Sequence, residues 1–361
     1  MSAAAAPARA RRVGGFRLTT TAIVWLSLLG IVVVSAVLVG AQGGNLLTSG
    51  NVVDLLTRSS LLGFIAIGQT LVIVCRSLDL SVGYVAALSS LVAATTMDGD
   101  PAMIVPGVLA ALAVSAGVGL FNGLVITGLK VNAFIATLGT GLLLKAYLDT
   151  TYKGPAGAVP ESFQLFGYMR IAVVPLSTAI MLVAAVLVYV VLQRSKAGYH
   201  MFAVGGNDEV ARLSGVRTGR SVVLAHVLCS VMAGVAGLLI AARFGTGSAQ
   251  VYTQGYDLDS IAAVVLGGTL LMGGRGAIAG TVGGVLILAV LDTVFNVLGV
   301  DPFFKDVLRG VVIVAAVAIY ARRQIDPLSS RARFRPGRGS APPAPPPPPE
   351  PGPKQLEEVR P

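Results

Sequence analysis

Apolar runs of membrane-spanning length recur almost without pause along this chain. A bilayer's hydrocarbon is ~30 Å thick, so a spanning helix needs about 20 residues with few charges. Segments 21–40, 53–75, 80–97, 102–127, 132–149, 171–193, 221–242, 258–274, 277–299 and 303–320 reach or approach that length. In hydrocarbon every backbone N–H and C=O must be satisfied within the protein, which makes such runs helical. The chain therefore reads as an all-α, polytopic membrane helix bundle of about ten transmembrane helices. Eight is the alternative, because 80–97 and 258–274 are short enough to be broken or re-entrant. Composition agrees: 54% of residues are hydrophobic and 12% charged, against roughly 25% charged in a soluble domain. The first run is long and is followed by Gln42-Gly43-Gly44, a poor cleavage site, so it reads as a retained helix rather than a leader.

The basic residues test this count through their sidedness. With the N-terminus in the cytoplasm, the inner segments hold Arg9, Arg11, Arg12 and Arg17, then Arg76, Lys130 and Arg275. The 194–220 segment adds Arg194, Lys196, Arg212, Arg217 and Arg220, whereas the outer loops together hold Lys153, Arg170 and Arg243. Both termini are thus expected in the cytoplasm. Residues 1–20 form a basic segment, 21–320 the transmembrane domain with its cytoplasmic loop 194–220, and 321–361 a proline-rich tail. The tail, with Pro345 through Pro349, should be extended and disordered. The net charge of +10 is orientation charge, suited to anionic inner-leaflet lipid and not to nucleic acid. Cys75 and Cys229 form neither a metal pattern nor a disulfide framework.

Four stretches carry polar chemistry. Within the cytoplasmic loop lies Gly205-Gly206-Asn207-Asp208-Glu209-Val210-Ala211-Arg212-Leu213-Ser214-Gly215. Asn207 suits an N-cap, Asp208 and Glu209 the positive end of a helix, and Gly215 its left-handed C-terminal position. So short a helix must dock on something, its own membrane domain or a partner. Asp79 and Ser81 precede the third run and Gly83 opens it. Asp79 reads as that helix's N-cap, assisted by Ser81 and paired with Arg76, with a direct place on a transport path as the other reading. Asp257 and Asp259 cap the eighth run, which Gly267-Gly268 and Gly273-Gly274 interrupt. Unwound backbone at that depth belongs inside protein or against a water-filled path. Phe134 and Thr137 open the fifth run, where small hydroxyl residues fit interhelical hydrogen bonds. Asp292, Asn296 and His226 are polar groups at depth, either interhelical partners or functional groups.

The sequence lacks a phosphate-binding Gly-x-x-x-x-Gly-Lys-Ser/Thr loop and has only two histidines. Neither a catalytic constellation nor a metal site is expected, and the chain should bind no cofactor itself.

From about residue 50 to 320 the chain resembles the inner-membrane permease of bacterial monosaccharide ABC importers, the ribose, xylose, arabinose and galactose type. The resemblance is carried by Asp79-Leu80-Ser81-Val82-Gly83, by Phe134-Ile135-Ala136-Thr137-Leu138-Gly139-Thr140, by Gly205-Gly206-Asn207 with Ala211-Arg212-Leu213-Ser214-Gly215-Val216, and by Leu258-Asp259-Ser260-Ile261-Ala262-Ala263-Val264-Val265-Leu266-Gly267-Gly268. It implies a multi-pass protein of the bacterial inner membrane. A second permease subunit, identical or a close paralogue, completes the pore. Two ATP-binding subunits, or one tandem ATPase, hold ATP and Mg below, and a periplasmic binding protein delivers sugar from above. It also implies that the 205–215 segment couples to the ATPase. Asp79, Ser81, Gly83, Phe134, Thr137, Asp257, Asp259, Gly267, Gly268, Asp292 and Asn296 are the candidates for the path or its gate. Two departures stand out: Arg76-Ser77-Leu78 where relatives usually have Gly-Gly-Ile, and Ala133 where they usually have Pro. Another small polar solute, such as an autoinducer sugar, inositol or a nucleoside, and an ion-coupled carrier are the competing readings.

Overall fold

A computed structural model describes residues 19–301 and isolated positions at 304, 307, 310, 311 and 314. The basic N-terminal segment, most of the 303–320 run and the proline-rich tail lie outside the described residues.

Helices fill the expected runs. In order they are α1 (Thr20–Ala41), α2 (Ser49–Val74), α3 (Val82–Met97), α4 (Ile104–Gly128), α5 (Ala133–Thr151) and α6 (Glu161–Tyr168). A two-residue hairpin of β1 (Arg170–Ile171) and β2 (Val174–Pro175) leads to α7 (Leu176–Arg194), α8 (Lys196–Gly206) and α9 (Asp208–Leu213). Then come α10 (Thr218–Phe244), a 3-10 turn at Ala249–Gln254, α11 (Tyr256–Leu266) and α12 (Ile278–Val297). Among the described residues six helices are long and apolar enough to cross a membrane, and α3 is a shorter apolar helix. The 258–274 run is a broken element. Its helix stops at Leu266, and an irregular stretch continues to Ala277.

Local chemistry explains several boundaries. Thr48 caps α2 by accepting from Asn51 N, and Asn132 caps α5 by accepting from Phe134 N. The core is built on α2 and α10. Every residue of α2 from Ser59 to Val74 is buried. Its hydroxyls are satisfied within that burial: Thr57, Ser60 and Thr70 donate to the carbonyls of Val53, Thr57 and Ala66. Helix α10 runs between α2, α3 and α4, at separations only small residues permit. A Cβ at Gly119 of α4 would lie 2.5 Å from His226 O, and one at Gly237 of α10 would lie 2.3 Å from Ala86 O. Membrane helices gain little from apolar burial against each other and rely on such close contact. On the other flank α12 packs against α1, α2 and α11.

Candidate functional site

Residues 75–81 between α2 and α3 are irregular backbone at the centre of the bundle, and they carry its densest polar network. Asp79 is fully buried. Its Oδ1 accepts from Ser81 N at 2.9 Å and from Ser81 Oγ at 2.5 Å. Its Oδ2 lies 3.2 Å from Nδ1 of the equally buried His226, whose Nε2 is 2.9 Å from Ser77 Oγ. A buried carboxylate costs several kcal/mol unless its lone pairs are taken, and here the imidazole and the serine take them. The network extends outward. Asn122 of α4 donates to Ser81 Oγ at 2.9 Å, and Thr140 of α5 donates to Asn122 Oδ1 at 2.7 Å. Thr137 accepts from Leu80 N at 3.1 Å. Three helices, α4, α5 and α10, are thereby tied to the unwound link between α2 and α3.

This corrects the sequence reading of Asp79. It does not cap α3: Ser81 holds the N-cap position without a side-chain cap bond, and the Asp79 carboxylate binds the Ser81 N–H and O–H instead. Arg76 is not its partner. Arg76 is exposed and has φ +60°, the left-handed region that glycine favours. Glycine is the residue this backbone suits.

The 194–220 segment is also more ordered than a loop. Helices α8 and α9 together fill most of it and meet at an elbow on Asn207. Asn207 accepts from Val210 N at 3.0 Å, Asp208 and Glu209 occupy the first turn, and Gly215 has φ +83°. Helix α9 buries only Ala211, leaving Val210 57% and Leu213 81% exposed. The elbow is seated by backbone contact: a Cβ at Gly205 would lie 1.7 Å from Val74 O and 2.5 Å from Gly274 N. Gly274 N donates to Val74 O at 3.0 Å. The elbow, the 267–277 stretch and the head of the 75–81 link therefore meet at one point.

Gly267 and Gly268 end α11 for different reasons. A Cβ at Gly267 would lie 2.5 Å from the carbonyl carbon of Gly280, whereas Gly268 has φ +86°. Asp257 and Asp259 do not cap α11. Gly255 occupies the cap position with φ +72°, and the two acids sit in the first turn near the helix's positive end. Gly83 lies beside Asp257 N and Tyr252 Cα, each at the ordinary contact distance of 3.9 Å from where its Cβ would stand.

The structure brings Asp79, Ser81 and Thr137 into one network and Gly83 beside Asp257. Phe134 is 49% exposed, and its side chain takes part in none of these bonds. Asp292 and Asn296 lie in the last two turns of α12, outside the bonds around Asp79. Sequence reasoning passed over Asn122 and Thr140 as path or gate candidates. A lone amide in the apolar run 102–127 was the available signal for Asn122.

Residues 51–317 match the family described as branched-chain amino acid transport system / permease component. The ribose import permease protein RbsC of Escherichia coli (strain K12) is 36% identical over 321 residues, spanning 86% of this chain and 98% of that protein. RbsC of Bacillus subtilis (strain 168) is 37% identical over 278 residues, 74% of this chain and 84% of that protein. The galactose/methyl galactoside import permease protein MglC of Haemophilus influenzae is 33% identical over 324 residues, 83% of this chain and 94% of that protein. No solved structure matches the chain.

Proposed function

The chain belongs to the branched-chain amino acid transport system / permease component family, and on that premise we propose that it is the membrane-spanning permease subunit of an ATP-driven monosaccharide importer. The relatives named for ribose and for galactose and methyl galactoside support a pentose or hexose as cargo. The protein is a multi-pass subunit of the inner membrane and a transporter component rather than an enzyme. ATP and Mg sit on a separate ATPase pair, a binding protein presents the sugar at the opposite face, and a second permease subunit completes the path.

The observation that carries the coupling role is the α8–α9 elbow. Exposed Val210 and Leu213 on a short helix are an apolar patch suited to a partner's groove. The buried side of the same elbow rests on Val74, which opens the link to Asp79. Force delivered at α9 therefore reaches Val74 and Gly274 first, and through Ser77 and Asp79 the residues on α4, α5 and α10. A bundle with two arrangements, biased by ATPase closure on one side and by the docked binding protein on the other, then alternates its opening.

The test is co-purification of the ATPase with membrane-inserted permease. Leu213→Glu should abolish the association while the permease still inserts at wild-type levels. Undiminished ATPase recovery with Leu213→Glu would remove α9 from the coupling role.

A further inference from the structure

Helix α5 carries a charge pair that neither the Asp79 network nor the elbow uses. Lys145 Nζ and Asp149 Oδ2 are 2.6 Å apart, and each side chain is 42% exposed. The exposed positions before them on the same helix are apolar: Phe134, Ile135, Leu138, Leu142 and Leu143. Lys145 stands ~18 Å along α5 from its start, at 1.5 Å per residue. Charges at such depth are costly against lipid and default to a water-filled path or a protein partner.

Two aromatic rings frame the pair. The Tyr252 hydroxyl donates to Asp149 Oδ1 at 2.7 Å, and Lys145 Nζ lies 5.4 Å from the centre of its ring. Tyr84, at the start of α3, stacks on Tyr252 with centroids 5.2 Å apart. Gly141 makes room for this ring, since a Cβ there would lie 2.9 Å from it. Tyr252 belongs to the 3-10 turn that follows α10. That turn lies against the start of α3, with Tyr252 Cα 3.9 Å from where a Cβ on Gly83 would stand, a few residues beyond the 75–81 link.

We propose that Tyr84, Lys145, Asp149 and Tyr252 form a sugar-contact station on the path, adjoining the 75–81 link. The chemistry is complementary to a monosaccharide. An ammonium that only donates, a carboxylate that only accepts and phenols that do both can exchange their mutual bonds for those of vicinal hydroxyls. The aromatic faces suit the apolar C–H face of a sugar ring. Because the groups already satisfy one another, the sugar gains little by binding, which allows it to leave again. The inference rests on the monosaccharide-permease reading above.

The test compares saturating uptake of radiolabelled ribose and galactose by cells carrying the wild-type gene, no gene, or a variant. Permease abundance in the membrane and ATPase co-purification are measured alongside. Tyr252→Ala should lower the maximal rate for the transported sugar about tenfold and change the ribose-to-galactose ratio. Tyr252→Phe, which keeps the ring, should retain more than Tyr252→Ala. Lys145→Met/Asp149→Asn removes both charges together, so no lone charge is left, and should shift the same ratio. Abundance and ATPase recovery should stay at wild-type levels throughout. Unchanged rates and ratio in these variants would overturn the station alone, as would losses that track permease abundance. If deleting the gene changes uptake of neither sugar nor of any other monosaccharide offered, the underlying reading fails with it.

Discussion

The Asp79–His226 pair shows how much one residue's neighbours decide. His226→Leu leaves Asp79 Oδ2 without its partner in a fully buried site. The expected cost is on the order of 3–5 kcal/mol, as for other broken buried pairs, read as a lower unfolding temperature of the detergent-solubilised protein. Asp79→Asn keeps the shape and removes the charge, so it should lose less. Arg76 predicts the opposite sign. Its left-handed backbone costs an L-residue about 1–2 kcal/mol, so Arg76→Gly should stabilise by about 1 kcal/mol. Loss of stability in that variant would mean the arginine side chain holds the elbow in a way its exposure does not suggest. Little of this was legible beforehand. The sequence marks Asp79 and His226 as polar groups in apolar surroundings, yet they are 147 positions apart, and no local pattern says they meet.

At the scale of elements, caps and breaks were largely readable because they are local. Asn207, Asp208, Glu209 and Gly215 lie where helix-end chemistry puts them, and the run containing Gly267-Gly268 is broken where its glycines fall. The expected caps at Asp79 and Asp257 failed because tertiary demand outweighed local preference: a buried histidine took one carboxylate, and Gly255 turned the chain before the other. Helix α8 was missed because a basic segment between runs resembles a loop. Its seat gives a further test. Gly205→Ala puts a methyl against Val74 O, a contact that backbone must shift to relieve. The expected result is permease that inserts and binds ATPase but couples poorly, measured as ATP hydrolysis no longer stimulated by the loaded binding protein. Normal stimulation would show that the Val74–Gly205 contact transmits nothing.

For the whole molecule, the spacing of apolar runs foretold a helical membrane bundle, because hydrocarbon leaves a chain few other choices. Which helix lies at the centre was not foretold. Helix α2 is largely buried while few residues of α1 and α4 are, although all three are strongly apolar. Hydropathy cannot distinguish lipid from protein as an apolar neighbour. The central claim is that this bundle moves a monosaccharide at the expense of ATP. It is tested most directly by uptake of radiolabelled ribose and galactose in cells with and without the gene, under two treatments. Depleting ATP while the proton gradient is maintained should abolish the gene-dependent uptake, and collapsing the gradient while ATP is maintained should leave it largely intact. Gene-dependent uptake that survives ATP depletion and follows the proton gradient would contradict the claim.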